Sequence, residues 1–354
     1  MTGAGPPFVT VAPARCLRSD KARLYGWGGR AGASLAIMVP PTLAQGLFIP
    51  SPPVSGFHVG AAFIHFYGLM YVVGIALAIY ITRRRLAAAG GNPALVYDVA
   101  MWAVPAGIIG ARIYFVITTP FDIVPHHQWW APFAVWDGGL GVWGGIAAGT
   151  LAGAWRVRRA GASAGMFMDA VAPALLVAQA IGRIGNYFNQ ELFGKPSSLP
   201  WALQVSLSDR PHGYGQFTTF QPSFLYEFIF DLALAAALVW LGHHRPIRPP
   251  GLFALYVAGY SGYRVFEETI RIDSSAYFLG LRLNFFVAIA MTVAGITWFT
   301  ISQRKGHAAT KAAVAIAVGG MICAMAAGCG HPAHRAQGTV ARHPVHIASP
   351  AHQA

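Results

Sequence analysis

The sequence predicts an all-α protein, a polytopic membrane bundle of seven transmembrane helices. Two observations carry this prediction. The mean hydropathy of the 354 residues is +0.49, and only 10% of them are charged, against about 25% in a typical soluble domain. Apolar stretches close to the ~20 residues that a spanning helix needs also recur along the chain.

Seven stretches meet that length and polarity, with ends uncertain by a few residues. They are 59–81, 94–118, 134–155, 164–182, 222–242, 251–270 and 283–301. The stretch 312–328 is shorter and rich in alanine and glycine, so it is a marginal eighth span. A short extracytoplasmic region is expected between the fourth and fifth spans.

Basic residues orient these spans, because cytoplasmic loops carry an excess of lysine and arginine. The basic groups that follow the odd-numbered spans are Arg83, Arg84 and Arg85; Arg156, Arg158 and Arg159; Arg245 and Arg248; and Arg304, Lys305 and Lys311. The opposite loops are poorer in such residues, so the N-terminus is expected outside. The formal charge of +13 is therefore interpreted as orientation and contact with anionic lipid, with no nucleic-acid partner. The three cysteines form no spaced pair, so neither a disulfide framework nor a metal site is expected.

The two ends of the chain do not fit the seven-span pattern. Residues 1–56 are expected to be an N-terminal extension, and their basic residues would lie outside against the usual tendency. Either the start is mis-assigned, with Met38 the true beginning, or the segment is a signal peptide with a short, proline-broken apolar run. Residues 57–305 form the predicted helical domain, and residues 306–354 form a tail whose end is expected to be disordered.

Ionisable residues interrupt the apolar spans, where they are costly and usually face a polar interior. They are Arg112 in the second span, Arg183 at the end of the fourth, and Arg264, Glu267 and Glu268 in the sixth. Helical spacing brings Tyr260, Arg264, Glu268 and Arg271 close to one face, where Arg264 and Glu268 can pair. The alternative is an ion pair that only fixes helix packing.

The stretch GRIGNYFNQELFG, Gly182 to Gly194, concentrates polar side chains at the end of the fourth span. If the helix continues past Gly182, Arg183, Asn186 and Gln190 share a face, with Asn189 and Glu191 on its flanks. An ordinary helix end needs a single capping asparagine, so this density indicates a binding site. His65 and Tyr67 lie near the outer end of the first span, where interfacial residues are the alternative.

Several arginines facing one outer-leaflet cavity indicate an anionic head group, because guanidinium pairs with phosphate through two parallel donors. The sequence shows no glycine-rich strand–helix motif that would cradle a nucleotide. A lipid phosphate is therefore the expected ligand.

Six blocks of the sequence resemble one known family in the same order. They are HFYGLMY, GARIYF, WDGGLGVWGG, GRIGNYFNQELFG, QPSFLYE and GYSGYRVFEETIR. Together they look like the prolipoprotein diacylglyceryl transferases over roughly residues 55–303. The resemblance implies a seven-span enzyme of the bacterial plasma membrane. Such enzymes move diacylglycerol from phosphatidylglycerol to the lipobox cysteine of a prolipoprotein signal peptide and release glycerol phosphate, the first step of lipoprotein maturation.

The resemblance also implies roles for individual residues. The expected catalytic group is Arg183, Arg264, Tyr67 and Glu191. The expected substrate-binding group is Arg183, Asn186, Asn189, Tyr260, Arg112, His65 and Glu268. Neither a cofactor nor a metal is expected. The family often has histidine, proposed as the thiol's base, where this chain has Trp143, so His65 or Tyr67 is the candidate proton acceptor here.

Residues 311–329 resemble a substrate of this family, with a basic start, an apolar run and AAGC ending at Cys329. The segment is either a mimic of a lipobox or a chance alanine-rich helix. Two other function classes are weighed against the transferase. An intramembrane serine protease would use Ser261 in GYSG as its nucleophile. That class needs a histidine on a facing span, and the neighbours of the sixth span offer none at depth. A transporter would show an internal repeat, which the sequence lacks.

Overall fold

Long helices dominate the computed structural model, which describes residues 48–60, 62–118, 131–133, 139–273, 275 and 277–304. The α-helices of this described part are α1 (Phe66–Ala88), α2 (Leu95–Thr118), α3 (Val142–Arg159), α4 (Ala164–Asn189), α5 (Ser223–His244), α6 (Gly251–Ile270) and α7 (Leu283–Arg304). The mostly helical class is confirmed, with one helix for each of the seven predicted spans. The predicted eighth span and Cys329 lie outside the described residues, as does most of the predicted N-terminal extension.

Five of these helices, α1, α2, α4, α5 and α7, are long and apolar enough to cross a membrane. The helix α3 falls short because it is 18 residues long and holds three arginines in its last turn. The helix α6 falls short because Arg264, Glu267 and Glu268 lie within it. A multi-pass membrane protein follows from the five apolar helices.

Beside the helices, the described part of the chain contains three two-stranded antiparallel ribbons at helix ends. They pair β1 (Gly56–Val59) with β2 (Ala62–His65), β3 (Leu203–Gln204) with β4 (Thr219–Phe220), and β5 (Tyr277–Phe278) with β6 (Leu281–Arg282). Each ribbon lets a connecting segment satisfy backbone hydrogen bonds that a helix would otherwise satisfy.

The ribbons and turns shift three predicted boundaries. The first helix begins at Phe66 instead of residue 59, because β1 and β2 pair with each other. The third begins at Val142 instead of residue 134, since Gly139 has a φ of +74° and Gly141 is extended. The fourth runs on to Asn189 instead of ending at residue 182.

Close helix pairs build the domain: α1 with α4, α2 with α3, α4 with α5, and α6 with α7. Glycine permits two of these approaches. A Cβ on Gly144 of α3 would lie 2.2 Å from the carbonyl oxygen of Gly110 on α2, and one on Gly295 of α7 would lie 2.6 Å from the backbone nitrogen of Ala258 on α6.

The helices α4, α5 and α6 share an apolar core. Its buried members are Ala172, Leu176, Ala235, Leu238 and Leu252. This core fixes the three helices, and their polar residues beyond it meet at one end of the group.

Candidate active site

The last two turns of α4 hold a short chain of polar side chains. Arg183 Nη1 donates to Asn186 Oδ1 at 3.0 Å, and Asn186 Nδ2 donates to Glu191 Oε1 at 2.8 Å. Asn189 Nδ2 reaches the same Glu191 oxygen at 3.3 Å. Asn186 is buried, so its amide holds the guanidinium on one side and the carboxylate on the other. The four predicted residues of this segment are therefore joined.

A left-handed turn brings Glu191 back toward the helix. The cap residue Gln190 has φ 50° and ψ 47°, and Leu192 has φ 58°. The helix thus ends before Gln190, and the expectation that Gln190 shares a face with Arg183 is wrong. Its side-chain oxygen instead accepts a hydrogen bond from the backbone nitrogen of Ser206 at 2.8 Å. The polar side chain of Gln190 orders the connecting segment and does not face the arginine.

The final glycine of the motif lets this segment reach α6. A Cβ on Gly194 would lie 3.1 Å from the carbonyl oxygen of Ile270, the last residue of α6. Gly194 forms an antiparallel bridge with Arg271, and Lys195 N donates to Ile270 O at 2.9 Å. The two predicted blocks on α4 and α6 are therefore tied together through their backbones.

Glu227 on α5 joins the two arginines on which the prediction depends. Its Oε1 lies 2.8 Å from Arg183 Nη2, and its Oε2 lies 3.5 Å from Arg264 Nη1. Tyr260 OH donates to Oε1 at 2.9 Å. The Glu227 side chain is 0% exposed, whereas the side chains of Arg183 and Arg264 are 19% and 18% exposed. Guanidinium groups from α4 and α6 thus converge on one buried carboxylate and keep part of their surface accessible.

Arg264 also contacts both carboxylates of its own helix. Its Nη1 lies 2.5 Å from Glu267 Oε2, and its Nη2 pairs with Glu268 Oε1 as the spacing predicted. The other oxygen of Glu268 accepts from Arg282 Nε at 2.6 Å. Glu268 is therefore held between arginines of α6 and β6, a supporting position.

Asp273 closes this network outside the helices. Arg271 donates to its carboxylate at 2.7 and 2.9 Å, and Arg282 Nη2 donates at 3.0 Å. Burial alone would raise the pKa of Asp273, but the hydrogen bonds and charges of Arg271 and Arg282 outweigh it and lower that pKa. For Arg282, burial lowers the pKa and the carboxylates of Asp273 and Glu268 raise it overall. Both groups are ionised at neutral pH and fix the end of α6 against the start of α7.

The remaining predicted residues lie around this cluster. Tyr67 on α1 packs against Gly185 of α4 and shares a hydrogen bond with Tyr71, with the two hydroxyls 2.8 Å apart. Arg112 on α2 donates to the backbone oxygens of Pro132 and Gly139 at 2.8 and 3.0 Å, so it supports the segment before α3. His65 ends β2, and its exposed ring packs edge-on against Phe63.

Sequence reasoning missed four members of the cluster, and it recognised Glu267 within the sixth span without giving it a role. The four are Glu227, Asp231, Asp273 and Arg282. The first two are ionisable residues within an apolar span, and that signal alone could have identified them. Asp231 is fully buried one turn beyond Glu227, and neither of its carboxyl oxygens has a hydrogen-bond partner among the described residues. Asp273 and Arg282 lie in a connecting segment whose pairing only the fold reveals.

Comparison with known proteins gives the family. The model of the family described as prolipoprotein diacylglyceryl transferase matches residues 55–301. The chain belongs to this family. It is similar to proteins named phosphatidylglycerol–prolipoprotein diacylglyceryl transferase from several bacteria. That of Bifidobacterium adolescentis is 42% identical over 73% of this chain and 81% of the relative. That of Paenarthrobacter aurescens is 40% identical over 79% and 91%, and that of Frankia alni 44% over 72% and 68%.

Family membership makes this chain a transferase and removes the protease and transporter alternatives. The matched residues run from β1 to the last turn of α7. They contain the whole arginine–carboxylate cluster, which consists of Arg183, Arg264, Arg271, Arg282, Glu227, Asp231, Glu267, Glu268 and Asp273. The cluster therefore belongs to the family domain.

Proposed function

We propose that this chain transfers the diacylglyceryl group of phosphatidylglycerol to the thiol of a lipobox cysteine in prolipoproteins and releases glycerol phosphate. The names of its relatives support the two substrates. The multi-pass architecture supports a substrate drawn from the bilayer.

One observation carries the proposal: Arg183 and Arg264, from different helices, contact the same buried carboxylate of Glu227. Two partly exposed guanidinium groups this close together form a site for a second anion. Guanidinium binds phosphate oxygens through parallel donors, so the phosphate of phosphatidylglycerol fits between them. There the two positive charges stabilise the negative charge that develops on the leaving phosphate oxygen.

The neighbouring residues orient these two arginines. Asn186, with Glu191 and Asn189 behind it, holds Arg183, and Tyr260 orients Glu227 between the arginines. Glu268 holds Arg264 from the other side. Tyr67 shapes the wall of the pocket, while Arg112 and His65 act at its edge, the first through the backbone that it supports.

The chemistry in this proposal is displacement at carbon, without a cofactor or a metal. The thiolate is the nucleophile, and a free cysteine has a pKa of about 8.5, so the positive charges of Arg183 and Arg264 favour its formation. His65 and Tyr67 are the proton acceptors that the sequence suggests.

The proposed setting is the bacterial plasma membrane, with seven spans and the N-terminus outside. In this arrangement α3 and α6 also cross the bilayer, and the charges of α6 are compensated by Arg264, Glu267, Glu268 and Glu227 pairing inside the protein. Residues 190–222 and the end of α6 then lie outside, where lipid and signal peptide meet.

The test is transfer from labelled phosphatidylglycerol to a lipobox peptide in membranes. We expect Arg183→Ala and Arg264→Ala each to lower the rate by about 100-fold or more, the scale typical for the loss of one stabilising donor. Arg183→Lys keeps the charge but loses the paired donors, so its rate should lie between that of the unchanged protein and that of Arg183→Ala.

Arg210→Ala is the matched control, since Arg210 donates only to the backbone oxygens of Val205 and Gly215 in the described structure. Undiminished transfer by Arg183→Ala at normal protein levels would contradict the proposal. Rescue of lipoprotein lipidation in a transferase-depleted bacterium is the cellular form of the same test.

A further inference from the structure

The surface between α5 and α6 contains a groove to which the proposed chemistry gives no role. It has a volume of about 370 Å³ and is open on one side. Its described lining consists only of leucine, alanine and glycine, with Leu234, Ala237 and Leu241 on α5 and Leu255 and Gly259 on α6. The two helices pack less closely with each other than α5 packs with α4 or α6 with α7. A groove without polar side chains suits a hydrocarbon chain, because a polar ligand would lose its hydrogen bonds there.

The groove continues from the arginine–carboxylate cluster along both helices. On α5, spacings of three and four residues place one stripe of side chains on a single face, namely Glu227, Asp231, Leu234, Leu238 and Leu241. On α6, the same spacing gives a second stripe, namely Glu267, Tyr263, Gly259 and Leu255. Each stripe begins at carboxyl groups of the cluster and ends in the lining of the groove. A molecule anchored at the cluster can therefore extend along these stripes into the groove.

Contacts between α5 and α6 confirm that the two stripes face each other. Phe230 and Tyr263 stack with their ring centroids 4.4 Å apart, one turn beyond Glu227. One turn further, a Cβ on Gly259 would lie 2.9 Å from Cδ2 of Leu234. The stacked rings thus lie between the carboxylate and the groove, and their largely apolar surface connects the two.

The distance of the groove from the cluster matches the depth of a lipid tail. Along α5, Leu234 lies about 10 Å and Leu241 about 21 Å from Glu227, at a rise of 1.5 Å per residue. One leaflet contributes about 15 Å of the hydrocarbon core. The groove therefore lies where the later carbons of an outer-leaflet acyl chain would be when its phosphate is held by Arg183 and Arg264. A short acyl chain would end before reaching it.

The size of the groove favours a single acyl chain over the signal peptide. An α-helix with its side chains is about 10–12 Å wide, so a stretch of about 10 Å occupies roughly 900 Å³. The groove holds less than half of that volume. The apolar helix of a signal peptide is therefore too wide for it.

We propose that this groove holds one acyl chain of the donor phosphatidylglycerol and selects the length of that chain. This inference rests on the proposed function. Lipid tails also surround the rest of the membrane domain, so the groove gains from close packing and not from the hydrophobic effect. The acyl chain stays attached to the glyceryl group throughout the transfer, so the groove binds substrate and product alike. Such uniform binding lowers KM and leaves kcat unchanged.

The test compares dipalmitoyl and dihexanoyl phosphatidylglycerol as donors, in the same detergent and with the same lipobox peptide. Ala237→Phe introduces an aromatic ring into the lining of the groove. We expect this variant to raise KM for the dipalmitoyl donor by about 10-fold, the scale for a misfit in an apolar pocket, with kcat little changed. KM for the dihexanoyl donor should stay the same, because its chains do not reach the ring.

Ala236→Phe is the matched control, because Ala236 is exposed on the same turn of α5 and lies outside the described lining. It should leave the ratio of the two KM values unchanged. Equal rises for both donors in Ala237→Phe, or no rise for either, would overturn the inference.

A rise in KM for the peptide alone would assign the groove to the signal peptide and overturn the inference as well. Should Ala237→Phe fail to fold, Ala237→Leu permits the same comparison, in which a selective rise for the dipalmitoyl donor supports the inference and equal values overturn it. A wild-type protein that transfers from neither donor would instead refute the proposed function.

Discussion

Asn186 determines how Arg183 is presented, because its amide is the only described side chain that links this guanidinium to Glu191. The side chain is buried, so water cannot replace the hydrogen bonds that it makes. A residue with one donor group and one acceptor group is required at this point, and asparagine meets that need with a short, rigid side chain.

We expect Asn186→Ala to lower the free energy of unfolding by about 1–3 kcal/mol, since it leaves buried polar groups unsatisfied. The rate of transfer should fall by more than the loss of folded protein explains, because Arg183 loses its orientation. Asn189→Ala is the comparison: it removes a longer contact of 3.3 Å to the same carboxylate oxygen, which Asn186 still holds. Thermal unfolding in detergent and the transfer assay measure both effects. Equal losses in the two variants would show that Asn186 has no special part in holding Arg183.

Single residues could be predicted where their partners are close in sequence. The pairing of Arg264 with Glu268 follows from helical spacing and is present. Gln190 was misplaced because the helix ends in a left-handed residue, which side-chain spacing cannot reveal. Glu227 was missed as a site residue because its partners lie on α4 and α6, so that no local pattern marks their meeting.

At the scale of helices, Gly185 controls the approach of α1 to α4. A Cβ at this position would lie 2.5 Å from Cδ2 and 3.3 Å from Cα of Tyr67. The second distance involves backbone, so turning the tyrosine ring alone would not remove the conflict. The absence of a side chain therefore sets the position of α1 beside the polar end of α4.

We expect Gly185→Ala to cost about 1–3 kcal/mol of unfolding free energy, the usual range for overpacking, and to displace Tyr67. Gly182→Ala is the matched control one turn earlier, where nothing lies within 4 Å of the added carbon. That change should be neutral or stabilising by up to about 1 kcal/mol, because alanine favours a helix over glycine. The test compares the unfolding midpoints of Gly185→Ala and Gly182→Ala in the same detergent. A Gly185→Ala protein as stable as Gly182→Ala would refute this account of the packing.

Helices were predictable in number and in their apolar middles, but less so at their ends. The sixth runs over residues 251–270 as predicted. The first was placed too early because the strands of its preceding hairpin are as apolar as the helix, with Phe57, Val59, Phe63 and Ile64 all exposed. Hydropathy cannot separate such a ribbon from a membrane span.

For the whole molecule, the helix ends divide the polar features into two groups. The arginine–carboxylate cluster lies at the C-terminal ends of α4 and α6 and the N-terminal end of α5. The opposite ends of α1 and α3 carry Arg85 and the arginines of the last turn of α3. The proposed orientation places the cluster outside and these basic ends inside.

Cysteine labelling tests this orientation in intact cells. In a background without Cys16, Cys323 and Cys329, we expect Ser208→Cys to react with a membrane-impermeant thiol reagent, since residue 208 lies in the exposed segment between α4 and α5. Ala89→Cys, exposed just after α1, should react only after the membrane is permeabilised. The reverse pattern would invert the proposed topology, and it would not affect the geometry of the cluster.

The overall class could be predicted because composition and the length of apolar stretches are properties of the whole chain. The meeting of four arginines and five carboxyl groups could not, because it depends on how α4, α5, α6 and the β5–β6 hairpin pack. Charges within apolar helices indicated that such a centre exists. Which residues belong to it could be identified only from the fold.

The left-handed backbone of Gln190 has a consequence for engineering. Glycine there would relieve the strain of a side chain in this conformation, on the order of 1 kcal/mol. The same exchange would remove the amide oxygen that holds Ser206 N at 2.8 Å. The lost hydrogen bond is worth about as much as the relieved strain, so the exchange would gain little stability and would leave a looser connecting segment next to Glu191.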